Sequence, residues 1–90
     1  MLMVVSINLK RDRLDIIDRF KQTIQRTPEI MNAYYVAGDA DFVLTISMRD
    51  LAEYEEFSRR FLYESSEIRG SNTMIVLDRT KASLALPIDE

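Results

Sequence analysis

Gly38-Asp39-Ala40-Asp41 sets one of the chain's two glycines beside two carboxylates. Glycine tolerates φ > 0 and admits close backbone approach, and carboxylates accept from a cation, an ammonium group or free backbone N–H groups. A polar Gly/Asp turn between two strand-like runs is also what an ordinary hairpin connection contains, so the tetrapeptide alone leaves a binding and a connecting role open. Composition removes much of the other chemistry. With no cysteine and no histidine in 90 residues, disulfides, thiolate chemistry, Cys/His zinc sites and imidazole acid–base catalysis are excluded. Two aspartates without further acidic ligands nearby make a poor calcium cage. A small enzyme would depend on Asp, Glu, Lys, Arg or Tyr, and no pair of these stands apart from turn and helix-surface roles. No enzyme activity, metal or cofactor is expected.

The elements that must hold the turn read in the order strand, helix, strand, strand, helix, strand. Leu2 to Leu9 alternates and is partly β-branched. Asp12, with Asp15 three residues on, then opens a helix in the manner of a carboxylate N-cap. Leu14, Ile17, Phe20 and Ile24 give that helix one apolar stripe, Arg13, Arg19, Lys21 and Arg26 lie largely on its other faces, and Pro28 ends it. Ile30 to Ala37 and Phe42 to Met48 are strands joined by the turn. Tyr34 and Tyr35 point to opposite faces, one into the core and one towards an interface. Asp50 caps a second helix with Glu53 at the capping-box position, and Leu51, Tyr54, Phe57, Phe61 and Leu62 form its stripe. Glu55 with Arg59 and Glu56 with Arg60 supply acidic-first i,i+4 pairs. Beyond Gly70, Ser71-Asn72-Thr73 leads into a last strand, Met74 to Leu77, followed by a tail with Leu84, Leu86, Pro87 and Ile88.

This order predicts an α+β, ferredoxin-like βαββαβ fold, a four-stranded antiparallel sheet with two helices on one face. The other face is left uncovered. Leu2 and Val4 stand opposite Met3, Val5 and Ile7, and Ile75 and Leu77 opposite Met74 and Val76, so one chain cannot bury every apolar strand residue. A second copy packed on the bare sheet answers that need, whereas a fold-back of Lys81 to Ile88 would cover only part of it. The net charge of −3 argues against a general nucleic-acid surface. The apolar opening Met1 to Val5 is too short for a signal peptide or a membrane span, which makes the cytoplasm the default address.

Taken together, Tyr34 to Leu44 around the Gly-Asp-x-Asp turn, Asp50-Leu51 with Tyr54, Glu55 and Phe57, Ser71 to Leu77, and Lys81 to Ile88 resemble the Lrp/AsnC (leucine-responsive regulatory protein) family. The likeness spans nearly the whole chain and is to the C-terminal effector-binding domain of those regulators, without their DNA-binding helix-turn-helix. It implies that residues 1–90 are a single effector-binding and oligomerisation domain. It also implies sheet-paired homodimers, higher assemblies that include octamers, and a small effector, usually an amino acid, held between dimers. Carried over by position, Gly38, Asp39 and Asp41 match the motif beside the ligand cleft, with the aspartates on the acceptor side. Ser71 and Thr73 match polar positions on the donor side. Ala40 stands where many relatives carry an aromatic residue, which leaves ligand identity open. DNA contact would belong to a helix-turn-helix that these residues lack. The alternative role is a stand-alone assembly module with no functional pocket. The ACT type of amino-acid sensor shares the strand order, but its glycine falls near the first strand-to-helix connection, and Asn8 to Arg13 contains none.

Overall fold

Leu2–Leu9 forms β1, and its side chains alternate without a break: Met3, Val5, Ile7 and Leu9 are buried, while Leu2, Val4, Ser6 and Asn8 stay partly open. The computed structural model describes residues 1–82. The remaining elements are α1 (Leu14–Gln25), β2 (Ile30–Tyr35), β3 (Phe42–Ser47), α2 (Leu51–Ser58), a π-helical turn over Arg59–Tyr63, and β4 (Ile68–Ile75). The strands form one antiparallel sheet in the order β2-β3-β1-β4. The expected ferredoxin-like fold is therefore the one observed.

Both helices pack on the face that carries Met3, Val5, Ile7, Leu44 and Ile46. Phe20 of α1 lies 5.1 Å from the Phe42 ring of β3 and 5.7 Å from Phe61 of the π-helical turn, and Phe61 stacks on Phe57 of α2 at 5.2 Å. This chain of rings joins both helices to the central strands, where each buried aromatic adds a large apolar area and a ring-pair term of about 0.5–1.5 kcal/mol.

Several local expectations change. Arg13, not Asp12, occupies the cap position of α1, with extended backbone and no side-chain capping bond. Asp15 instead pairs with Arg13 at 3.1 Å. Desolvation pushes the Asp15 carboxyl upward, but the Arg13 charge and hydrogen bond outweigh it and leave the group below the usual carboxylate range. The buried stripe of α1 is Ile16, Ile17, Phe20 and Ile24. Leu14, on the flank of that stripe in the first turn, is exposed, as is Leu51 at the start of α2. Asp50 does cap α2, accepting from Glu53 N–H at 2.8 Å, but Glu53 reaches back one residue further than a capping box requires, to Arg49 N–H at 2.6 Å. On the outer surface of α2, Glu56 takes both Arg59 and Arg60, and the expected Glu55–Arg59 pair is not formed. β2 stops at Tyr35 and β3 at Ser47. β4 begins at Ile68, ahead of Gly70, and ends at Ile75, so Leu77 lies beyond it and is exposed. Tyr34 and Tyr35 do face opposite ways, yet neither is buried: Tyr35 sits over Phe42 and under the Lys21 ammonium. The tail residues Leu84, Leu86, Pro87 and Ile88 lie outside the described residues.

The uncovered face carries Leu2, Val4, Val43, Tyr34 and Met74 in cross-strand neighbourhood with Ser6, Asn32, Thr45 and Asn72. It is thus more mixed than the apolar runs suggested. Ile75 turns the other way, opposite Met3 on the helix side.

Candidate functional site

The turn and the end of β1 are stitched together. Val36 N–H donates to the Asp41 carbonyl at 2.9 Å, which closes the loop, and Gly38 takes φ 145° within it, a value that L side chains rarely adopt. Asp41 N–H donates to the Ile7 carbonyl at 2.9 Å, and Asp41 Oδ2 accepts from Leu9 N–H at 2.8 Å. Because β3 starts at Phe42, opposite Ile7, no β3 residue stands opposite Leu9, and the carboxylate takes the place of the missing ladder acceptor on that side. Asn8 Nδ2 completes the seam by donating to the Asp39 carbonyl at 2.7 Å. Among the described residues, Asp41 Oδ1 and both Asp39 carboxylate oxygens receive no protein donor.

Ser71 stands opposite Ile7 on the far side of β1, in β4. Ile7 therefore separates Asp41 from Ser71, and two interstrand spacings put their backbones about 10 Å apart. Four of the five expected residues, Gly38, Asp39, Asp41 and Ser71, gather at this end of the sheet. Thr73 does not: it lies two residues further along β4, opposite Val5, and its hydroxyl is engaged with that of Tyr54 from α2.

Beside Ser71 the surface opens into a cleft of about 480 Å³ whose walls include Lys10, Leu62, Glu64, Ile68, Arg69 and Gly70. Three irregularities shape it. The β1–β4 register shifts between Asn8 and Leu9, which leaves Arg69 as the extra residue on β4, while Lys10 N–H still reaches the Glu67 carbonyl at 2.9 Å. The π-helical turn delivers Leu62 to one wall. Gly70 leaves the floor bare, since a Cβ added there would meet nothing within 4 Å. Sequence reasoning missed Asn8, Tyr54 and the cleft. Neither a register shift nor a π-turn leaves a residue pattern by which it could have been found. Among the described residues no three carboxylates gather in a way that could hold a metal ion, and no helix is long and apolar enough to cross a membrane.

Comparison with known proteins follows the same lines. The Lrp/AsnC ligand binding domain model matches residues 2–86. A transcriptional regulator of the helix-turn-helix type from Sinorhizobium fredii, itself uncharacterised, is 54% identical over 87 residues, covering 97% of this chain and 52% of that protein. The chain spans about half the length of the curated relatives it matches. Among solved structures, an AsnC family transcriptional regulator from Agrobacterium tumefaciens superposes with a TM-score of 0.84 at 27% identity, over 96% of this chain and 56% of that one. A transcriptional regulator from Neisseria meningitidis, solved as a complex with L-Met, gives 0.86 at 17% identity, over 96% of this chain and 55% of its own, and at that identity shows the fold alone. These relatives are transcriptional regulators, and the chain belongs to the Lrp/AsnC family, matching its ligand-binding domain.

Proposed function

We propose that this domain senses an amino-acid effector and couples its binding to the assembly of an Lrp/AsnC-type transcriptional regulator. The observation that carries the reading is the gathering of Gly38, Asp39, Asp41 and Ser71 at one end of the sheet of a family ligand-binding domain, with carboxylate oxygens left open. An α-ammonium would be taken by Asp39 and Asp41, with backbone groups at Gly38 within reach. An α-carboxylate would be taken by donors on the Ser71 and Thr73 side. Asp41 and Ser71 of one chain lie about 10 Å apart, further than the ammonium and carboxylate of one amino acid, which supports a site completed by a second subunit. The L-Met complex of the Neisseria regulator supports an amino acid as the ligand class. Pairing through the uncovered sheet face gives a homodimer, and dimers joined across the effector give a larger ring, an octamer in the simplest case. In the cytoplasm, effector-dependent assembly would reposition DNA-binding helix-turn-helix domains outside these residues, which requires different effector affinities for two assemblies.

A second reading, an assembly module with no effector, draws on two contacts: Asp41 Oδ2 is already used by Leu9 N–H, and the Thr73 hydroxyl by Tyr54. Calorimetric titration with each of the twenty protein amino acids separates the two. Binding by at least one, weakened about ten-fold in Asp41→Asn, is the expected result; the amide keeps an acceptor for Leu9 but loses the charge that holds an ammonium. Silence from all twenty, with assembly intact, would establish the module instead.

A further inference from the structure

The cleft beside Ser71 concentrates positive charge on a chain whose net charge is −3. Lys10 and Arg69 line it, and among the described residues neither forms an ion pair. A neighbouring cleft of about 250 Å³ shares Lys10 and adds Arg11 and Arg13. Tyr63 gives the larger cleft an exposed apolar wall backed by the buried Leu62 and Ile68, and Glu64 contributes one carboxylate that is likewise outside any ion pair among the described residues.

Gly70 carries the second line of argument. Its φ lies outside the positive range that glycine alone adopts readily, and a Cβ there would meet nothing within 4 Å, although Gly70 borders the β1–β4 register shift. A strand glycine marks a bulge or a place where another molecule comes close to the backbone, and Gly70 combines the bulge with open space above it. The surrounding π-turn and register shift are devices found disproportionately at functional sites.

We propose that this cleft holds the carboxylate end of an amino-acid effector, with Lys10 and Arg69 pairing with the carboxylate over Gly70 and the effector's side chain lying along Tyr63. The assignment rests on the reading that the domain takes an amino acid, and adds to it the cations that recognise the acid group. Ser71 joins the cleft to the turn-side site. Glu64 makes the cleft a poor host for a plain polyanion such as a nucleic-acid backbone. The cleft volume falls in the range of small-molecule sites.

The test uses the amino acid that binds best among the twenty, together with its carboxamide, which lacks the acid charge. Lys10→Gln combined with Arg69→Gln should weaken the free amino acid by about ten-fold or more and change binding of the carboxamide by no more than about two-fold. Gly70→Val, which fills the floor without meeting the fold, should weaken both. Circular dichroism and thermal melting should stay as in the parent for all of these exposed changes. Parental affinity for the free amino acid in the double variant, while Asp41→Asn loses it, would overturn the cleft assignment and leave the effector reading standing. No binding of any of the twenty to the parent chain would overturn both.

Discussion

Gly38 is the residue at which the backbone demands a particular amino acid. At φ 145° a side chain is strained whatever the space around it, so Gly38→Ala should destabilise the domain by about 1–3 kcal/mol, read as a lowered urea midpoint at unchanged slope. An unchanged midpoint would show that the turn relaxes freely. Asp41 carries a structural bond in addition to the effector role proposed for it. Its motif position was visible in the sequence because glycine and two aspartates between apolar runs are rare punctuation. Its bond to Leu9 N–H was not, because that bond depends on β3 starting opposite Ile7 while β1 runs on through Asn8 to Leu9. Asp41→Ala should therefore lose about 1–3 kcal/mol of stability by leaving a buried-edge donor unpaired, whereas Asp41→Asn should keep most of it. Comparing the two separates the carboxylate's structural bond from its charge.

The elements were legible where one strong pattern decided them and less so at their ends. The strict alternation of β1 and the Asp50 cap of α2 translated directly into structure. Asp50→Ala should cost about 1 kcal/mol, seen as a lower melting temperature with the strands intact; no change would mean that tertiary packing alone holds the start of α2. Leu14 and Leu51 misled because an apolar residue in a first helical turn satisfies the spacing rule and yet stays exposed. β4 misled in a different way. Its buried anchor, Ile68, precedes a glycine that reads as a turn, and only pairing of Leu9 with Ile68 and Asn8 with Gly70 reveals that the strand runs through it. The charged, irregular cleft was illegible for the same reason: Lys10 and Arg69 are far apart in sequence and are brought together by the shifted β1–β4 register.

At the scale of the molecule, fold class followed from element order, because a βαββαβ chain with short connections and right-handed crossovers has few other arrangements. The five proposed site residues were legible as a motif but not as a place. Strand order, not sequence distance, puts Ser71 across Ile7 from Asp41 and sets Thr73 apart on Tyr54. The uncovered sheet face carries the case for self-association. Leu2, Val4, Val43 and Met74 are too apolar for a permanently wet surface, although the interleaved Ser6, Thr45 and Asn72 make the face milder than a core. Val4→Glu, at the centre of that face, should halve the particle mass in light scattering while leaving the far-ultraviolet circular dichroism unchanged. A variant that keeps the parental mass would place the subunit contact elsewhere.

Effector-dependent assembly is the central claim, and sedimentation velocity of the chain at micromolar concentration, alone and with each of the twenty amino acids, tests it most directly. The expected result is a dimer or larger particle whose distribution shifts with at least one amino acid and not when that amino acid is added to Asp41→Asn. A monomer under all conditions, or an assembly that none of the twenty moves, would contradict it.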